Sequence, residues 1–212
     1  MLTRSHVTTR RPAGFIDPCL PTLAHTVPDG PLWEHEIKHD GYRFICRWDG
    51  DRVRAFTRRG HDWRDRVPRI AEALAALPVT SATIDGEAVV CDSAGVSDFD
   101  RLRAALARRG SPEIFLYAFD LLELDGCDLR RDPWNVRRET LASLLRKASN
   151  GIRLSEHIEG ADGTAVFRHA CALGLEGIVA KRRDRPYRSG RSPDWLKVKN
   201  PNAPAATRIM ER

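Results

Sequence analysis

The sequence has few cysteines and no long apolar run. Its five cysteines are far apart and never form a Cys-x-x-Cys pair: Cys19, Cys46, Cys91, Cys127 and Cys171. This spacing disfavours a zinc site or a disulfide framework and suits a reducing compartment. No stretch has the length of a membrane span, and the N-terminus lacks the apolar core of a signal peptide. These absences predict a cytoplasmic protein with no membrane partner.

The composition is that of a basic globular protein. The 212 residues are long enough for one large domain or two small ones, and 42% of them are hydrophobic. The formal net charge is +6, with a pI near 9.4. An excess of Arg and Lys suits a polyanionic partner, because these side chains neutralise phosphates and release counterions.

The residue pattern predicts an α+β fold. Residues 1–15 are basic and without apolar periodicity, which predicts a loosely ordered arm. Strands are predicted for FICRW and RVRAFTR around a two-residue Asp49-Gly50 turn, and for SATIDGEAVVCD, EIFLYAFDLLELDG, EGIVAKR and DWLKVKN. Helices are predicted for RVPRIAEALAAL, for Asp132-Pro133 through LASLLRKAS, and for GTAVFRHACAL before Gly174. Hairpins and distant strands mixed with a few helices indicate α+β rather than a parallel doubly wound sheet.

Lys38, in EIKHDGYR, is the candidate nucleophile. It lies near the end of a predicted strand, and Asp40-Gly41 predicts a turn before the next strand. A lysine amine attacks only when it is neutral, and burial or nearby cations favour that form. The alternative is a surface lysine beside a turn.

Charged pairs on three later strands supply what phosphoryl chemistry needs. Asp85 and Glu87 alternate onto one strand face, and Lys197 and Lys199 share a face of another. Carboxylates from separate strands suit a hard divalent cation, and paired lysines on an apolar strand suit an anion. For each element taken alone, solvated charge on an edge strand is the alternative.

The order of the motifs EIKHDGYR, FTRRG, IDGEAVV, LYAFDLLELDG, EGIVAKR and WLKVK resembles that of the covalent nucleotidyltransferases. The sequence is most similar to ATP-dependent DNA ligases, especially the bacterial ligase domain that accompanies end-joining repair. This resemblance covers about residues 15–202. It implies the covalent nucleotidyltransferase (ATP-grasp-like) fold, in which helices flank antiparallel sheets and the nucleotide lies in a groove between them. It also implies that the protein is located in the bacterial cytosol or nucleoid and acts in DNA repair and recombination.

The resemblance implies a role for each matching residue. Lys38 attacks the α-phosphate of ATP and carries AMP to a DNA 5′-phosphate. The implied catalytic residues are Lys38, Asp40, Lys197 and Lys199, where Asp40 shapes the turn and the two later lysines hold the α-phosphate and keep Lys38 neutral. The implied nucleotide-binding residues are Glu36, Ile37, Arg43, Arg58, Glu87, Phe119, Glu176, Lys181, Lys197 and Lys199. Glu87 and Glu176 are the implied ligands of Mg²⁺ or Mn²⁺.

Four assignments within this set are more specific. Glu36 matches the contact to the adenine amino group, which its acceptor-only carboxylate suits. Phe119 matches the ring that stacks on adenine, with Tyr117 on the same strand face as its rival. Arg43 and Arg58 match contacts to ribose and DNA phosphate. Five arginines in or next to the loop RDRPYRSGRS are either DNA-backbone contacts or exposed charge: Arg182, Arg183, Arg185, Arg188 and Arg191.

The sequence departs from full-length ligases at its end. Only PNAPAATRIMER follows WLKVKN, which is too short for the OB-fold barrel that helps such ligases to clamp DNA. We therefore expect an adenylation domain at 16–202 and an unstructured tail at 203–212, with weak ligation by the chain alone. The implied partners are nicked or broken duplex DNA and a separate DNA-binding or repair protein, and the chain is expected to be a monomer. The alternatives are an RNA ligase, a GTP-using capping enzyme, or a DNA-binding remnant without ligase activity.

Overall fold

The computed structural model describes residues 14–108, 110–148, 150–158 and 162–203. The basic arm predicted for 1–15 and the tail predicted for 203–212 therefore lie almost entirely outside the described residues. No helix within these ranges is long and apolar enough to cross a membrane.

Strands and helices alternate irregularly along the chain. The strands are β1 (Cys19–Leu23), β2 (Trp33–Ile37), β3 (Tyr42–Trp48), β4 (Val53–Thr57), β5 (Ala82–Val89), β6 (Phe115–Leu124), β7 (Cys127–Asp128), β8 (Ile152–Leu154), β9 (His157–Ile158), β10 (Gly177–Arg182) and β11 (Gly190–Lys199). The helices are α1 (Pro68–Ala75), α2 (Phe99–Ala107), α3 (Trp134–Leu145) and α4 (Gly163–Ala172), with a 3-10 turn at Arg64–Arg66.

The strands form two sheets. Sheet 1 has the order β1-β11-β10-β2-β9, and sheet 2 has the order β4-β3-β5-β6-β7, with β8 beside β6. Neighbouring strands are antiparallel except for the pairs β1–β11 and β6–β8, which are parallel. Two largely antiparallel sheets with four flanking helices confirm the predicted α+β class.

Three apolar clusters hold these layers together. The largest packs α1, α2 and α3 against sheet 2, through residues such as Leu74, Leu102 and Leu141. A second cluster joins the two sheets through Ile45 of β3 and Trp195 of β11, and a smaller one packs α4 on sheet 1. Burial of apolar surface from both sheets fixes their separation, and so positions the groove between them.

Local sequence explains one hairpin turn and gives the wrong length for another. Asp125 has φ 47° and Gly126 has φ 84°, the left-handed pair that a tight hairpin between β6 and β7 requires. The expected two-residue turn at Asp49-Gly50 is wrong in length, because Trp48 pairs with Val53 and the loop spans 49–52.

Two helix predictions also need correction. The helix expected through LASLLRKAS ends earlier, at Leu145. α2 was not predicted at all, although Asp98 caps it by accepting a hydrogen bond from the backbone N–H of Arg101 at 3.0 Å. Its signal in the sequence was a capping aspartate followed by leucines and alanines at helical spacing.

Candidate active site

A groove of about 760 Å³ lies between the two sheets. All twelve residues that the sequence predicts for the site line it: Glu36, Ile37, Lys38, Asp40, Arg43, Arg58, Glu87, Phe119, Glu176, Lys181, Lys197 and Lys199. The structure thus brings together side chains that are up to 163 residues apart in the sequence, from Glu36 to Lys199.

Strand register explains why these residues meet. On sheet 1, Val179 of β10 pairs with Glu36 of β2 on one side and Lys197 of β11 on the other. On sheet 2, Glu87 of β5 pairs with Arg43 of β3 and Tyr117 of β6. Side chains of paired residues point to the same face of a sheet, so each row presents its charges together.

Lys38 lies just beyond the end of β2. Its backbone N–H donates to the carbonyl of Gly177 at 3.0 Å, which carries the β2–β10 ladder one residue further. Its Nζ lies 2.5 Å from Oε2 of Glu176. The other carboxylate oxygen of Glu176 lies 3.7 Å from Nζ of Lys199, so one carboxylate bridges two lysines. The candidate nucleophile is therefore held in place by its side chain and by its backbone.

The loop after Lys38 packs tightly against sheet 2. A Cβ at Gly41 would overlap the carbonyl oxygen of Ala88 and the Cγ of Glu87, so glycine is required for this close approach. The Asp40 backbone N–H donates to Oγ of Ser97 at 3.1 Å. These contacts support the prediction that the Asp40-Gly41 segment shapes the turn that presents Lys38.

His39, in this same loop, is stacked on Tyr117 of β6. Their ring centroids are 3.9 Å apart and the planes differ by 9°. Burial, assisted by the charge of Lys38, lowers the pKa of His39 to about 4, so the ring is neutral near pH 7. Tyr117 does not line the groove, whereas Phe119 does. Of the two rival rings, Phe119 is therefore the one that reaches the groove.

The strand β6 is irregular next to these two rings. Its pairing with β5 shifts between Asp85 and Gly86, where Asp85 pairs with Asp120 and Gly86 with Ala118, so Phe119 is the extra residue. Tyr117 pairs with Glu87 on the groove side of sheet 2, but its ring is stacked on His39.

The carboxylates and lysines of the groove perturb one another. Burial raises the pKa of Glu87 to about 7, although Lys38 and Arg43 oppose that shift. Burial also lowers the pKa of Lys197, and repulsion from Lys38 and Lys199 adds to the effect. A site with such shifts is suited to bind a charged ligand.

Glu87 and Glu176 are the residues that fit a divalent cation. Their charges repel each other within the groove and help to raise the pKa of Glu87, which a cation between them would relieve. No cluster of three or more His, Cys, Asp or Glu side chains with metal-binding geometry occurs in the described ranges. A pair of carboxylates nevertheless suits Mg²⁺, which takes its remaining ligands from substrate phosphates and water.

The other end of the groove holds a buried ion pair between aromatic rings. Nζ of Lys181 lies 2.5 Å from Oε2 of Glu36, and both side chains are almost fully buried. The same Nζ lies 4.3 Å from the ring centroids of both Phe119 and Trp195. Oε1 of Glu36 has no hydrogen-bond partner among the described residues.

Arg43 belongs to a second buried network. It donates from Nε and Nη2 to the two oxygens of Asp85 at 2.8 and 2.6 Å. The Tyr187 hydroxyl donates to Oδ2 of Asp85 at 2.7 Å and accepts the backbone N–H of Cys19 at 2.8 Å. Because Cys19 is on sheet 1 and Asp85 on sheet 2, this network fixes Arg43 relative to both walls.

The structure divides the predicted arginines. Arg58 and Arg191 line the groove and are exposed. Arg182 pairs with Asp184 at 2.9 Å, and Arg183 lies 3.5 Å from Glu34. The loop arginines are therefore not equivalent as candidate DNA contacts.

Sequence reasoning missed several groove residues. Val179 and Trp195 line the groove, and strand alternation from Lys181 and Lys197 was the available signal for both. Ser155 and His39 also line the groove, but they carried no such signal, because loop geometry brings them there.

Comparisons with known proteins identify the family. The profile of the "ATP dependent DNA ligase domain" matches residues 23–199. The chain is similar to the "Multifunctional non-homologous end joining protein LigD" of Pseudomonas aeruginosa, with 39% identity over 186 residues. These residues cover 87% of this chain but only 22% of that protein, so the chain spans about a fifth of its length.

Solved structures agree. The chain superposes on "mycobacterial DNA ligase D complexed with ATP and MES" with a TM-score of 0.74 and 34% identity, covering 86% of this chain and 59% of that one. The ligase domain of Mycobacterium tuberculosis LigD gives a TM-score of 0.72 and 35% identity, with coverage of 86% and 60%. These matches confirm the predicted nucleotidyltransferase fold, and the chain belongs to the ATP-dependent DNA ligase family as an adenylation domain.

Proposed function

We propose that Lys38 forms a covalent lysine–AMP intermediate from ATP. Lys38 loses one proton, for which Oε2 of Glu176 at 2.5 Å is the nearest acceptor, and the amine then attacks the α-phosphorus. A nitrogen–phosphorus bond forms, the bond to the bridging oxygen breaks, and pyrophosphate leaves with that electron pair. A second proton leaves the nitrogen to solvent. The observation that carries this proposal is the position of Lys38 among the groove's other charged side chains.

The cations around Lys38 suit the triphosphate. Lys197 and Lys199 line the groove from the face of β11 that is turned toward sheet 2. Their charges stabilise the negative charge that develops on the oxygens of the α-phosphate. Arg43, oriented by Asp85, is placed to bind ribose or phosphate. Glu87 and Glu176 would hold Mg²⁺ or Mn²⁺, and that ion when bound supplies further charge neutralisation at the phosphates.

The base is proposed to lie at the end of the groove near Glu36. Oε1 of Glu36, which is buried and makes no hydrogen bond to the described residues, is an acceptor suited to the adenine amino group. Phe119 and Val179 supply apolar surface from the two walls, and Ile37 continues it toward Lys38. This arrangement supports ATP over GTP.

The later steps are proposed from the family. AMP passes from Lys38 to the 5′-phosphate of a nicked or broken DNA duplex, which frees the lysine amine. The 3′-hydroxyl of the end to be joined then loses its proton and attacks that 5′-phosphorus, so a phosphodiester bond forms and AMP leaves. Arg58 and Arg191, exposed at the groove, are candidate contacts to the DNA backbone. The relatives named for non-homologous end joining support a role in DNA repair, with residues 16–202 as the adenylation domain and a separate repair protein as a possible partner.

Covalent labelling tests the proposal. Incubation with ATP labelled at the α-phosphate, with Mg²⁺ or Mn²⁺, should leave label on the denatured wild-type protein. Lys38→Ala should carry none, whereas the control Lys147→Ala, which removes an exposed lysine, should label like wild type. Equal label on Lys38→Ala and wild type would exclude Lys38 as the nucleophile. Stronger labelling by GTP would favour a capping enzyme, and no label with either nucleotide would favour a DNA-binding remnant.

A further inference from the structure

We propose that His39, through its stack on Tyr117, is a positioning residue that fixes the backbone of Lys38 and so the direction from which the lysine amine attacks. This inference rests on the proposed function, because it assumes that Lys38 is the nucleophile. His39 acts through the backbone of its neighbour and not through contact with the reacting phosphate. Its effect should therefore fall on the rate of the chemical step and not on the affinity for ATP.

The loop that carries Lys38 crosses from one wall of the groove to the other. Only four residues, 38–41, join β2 of sheet 1 to β3 of sheet 2. Lys38 is still bonded to sheet 1, since its backbone N–H donates to the carbonyl of Gly177 at 3.0 Å. His39, whose Cα is about 3.8 Å further along the chain, is already stacked on Tyr117 of sheet 2. The candidate nucleophile is therefore fixed from both walls.

The ring of Tyr117 is itself held from several sides. Tyr117 lies within β6, which pairs with β5 on one side and with β8 on the other. The ring of Phe115 meets it edge-on, with the centroids 4.9 Å apart and the planes at 70°. The Tyr117 hydroxyl accepts a hydrogen bond from Arg153 and donates one to Cys91. A ring fixed in this way is a firm support for the imidazole stacked on it, at a centroid distance of 3.9 Å.

The proposed reaction makes this support necessary. In the structure the tip of Lys38 is held by Oε2 of Glu176 at 2.5 Å. That contact is given up when the amine loses its proton to Glu176 and turns to the α-phosphorus. The long side chain then depends on its backbone for its direction. Because the amine must approach in line with the departing pyrophosphate, a displacement of about 1 Å can lower the rate about 100-fold.

The first experiment measures single-turnover formation of lysine–AMP at saturating ATP and near-neutral pH. In His39→Ala, which removes the stack, the maximum rate should fall about 10- to 100-fold. His39→Phe keeps a flat ring on Tyr117 and should react at close to the wild-type rate. The control His169→Ala, which removes an exposed histidine of α4, should also match wild type.

ATP binding separates a positioning role from general damage to the groove. Lys38→Ala cannot form the covalent intermediate, so equilibrium binding of ATP can be measured in that background. Lys38→Ala and Lys38→Ala/His39→Ala should bind ATP equally well. A loss of affinity that accounts for the whole fall in rate would overturn the inference, because the stack would then shape the nucleotide site and not the attack.

Variants of Tyr117 test the other half of the stack. Tyr117→Leu should slow the reaction as His39→Ala does, whereas Tyr117→Phe keeps the ring and should not. The double variant Tyr117→Leu/His39→Ala should be no slower than the slower single variant, because both changes break one contact.

A wild-type rate in His39→Ala, or fully additive losses in the double variant, would contradict the proposed role of the stack. If His39→Ala does not fold, the comparison of Tyr117→Leu with Tyr117→Phe decides the matter. In each of these outcomes wild type still takes up label on Lys38. Wild type that takes up no label would instead overturn the proposed function, and this inference with it.

Discussion

Asp120 and Asp128 each form a bidentate ion pair with an arginine. The pair of Asp120 is buried and the pair of Asp128 is on the surface. Asp120 accepts from Nε and Nη2 of Arg137 at 2.7 and 2.8 Å, and Asp128 accepts from the same atoms of Arg130 at 2.8 and 2.6 Å. Oδ1 of each aspartate also accepts a backbone N–H. Both side chains of the inner pair are 0% exposed, against 52% for Asp128 and 41% for Arg130. Replacing each aspartate by alanine therefore isolates the effect of burial.

We expect Asp120→Ala to lower the free energy of unfolding by about 3–5 kcal/mol, because the Arg137 guanidinium stays buried without its counter-charge. Asp128→Ala should cost less than about 1 kcal/mol, since water and salt screen an exposed pair. In a protein of this size about 1 kcal/mol corresponds to roughly 2–4 °C in Tm, so the inner change should lower Tm by roughly 6–20 °C. Urea denaturation followed by tryptophan fluorescence measures both values. Equal losses at the two sites would refute the reasoning that burial, and not geometry, sets the energy.

The remaining predictions concern two groove residues, His39 and Glu87, and the buried hydroxyl of Tyr187. Because the pKa of His39 is about 4 in the folded protein, stability is lost as the pH falls from about 6.5 to 4, where only the unfolded chain takes up the proton. Because the pKa of Glu87 is about 7 in the folded protein, stability is lost as the pH rises from about 4.5 to 7, where only the unfolded chain releases its proton. Urea denaturation at several pH values should show that His39→Phe, which keeps the stacked ring, removes the loss of unfolding free energy at low pH. Glu87→Gln should remove the loss as the pH rises. An unchanged pH dependence of the unfolding free energy in these variants would contradict the two pKa shifts. Tyr187→Phe leaves Asp85 and the Cys19 N–H each without one buried partner, so it should cost about 1–3 kcal/mol and raise KM for ATP through Arg43. An unchanged KM would show that Arg43 does not need this network.

The motifs on strand ends were predictable from sequence. Lys38 was predicted near the end of a strand, and in the structure β2 ends one residue before it, at Ile37, while β3 begins at Tyr42. Glycine at position 41 and the alternation of charges in IDGEAVV and WLKVK are local signals, readable without knowing which strands pair. The family resemblance then supplied what the local pattern could not, the assignment of residues from distant strands to one nucleotide site.

Features that depend on packing were not predictable. The choice between Phe119 and Tyr117 depends on the loop after Lys38, because His39 of that loop stacks on Tyr117 while Phe119 lines the groove. The Asp85–Arg43 pair joins residues 42 positions apart, and Tyr187 joins it from 102 positions away. Lys181 was expected beside the nucleotide, but its ammonium is directed to Glu36, because burial selects the nearest carboxylate.

The phosphate end of the groove also depends on the order in which the chain is made. Lys38 and its partner Glu176 are 138 residues apart, and Lys197 and Lys199 follow later still. Proteins are synthesised from the N-terminus, and contacts between such distant residues form slowly because a long loop must close first. A nascent chain therefore carries Lys38 through most of its synthesis without the groups that bind phosphate. The groups that the proposed reaction of Lys38 requires therefore come together only when almost all of residues 38–199 have been made.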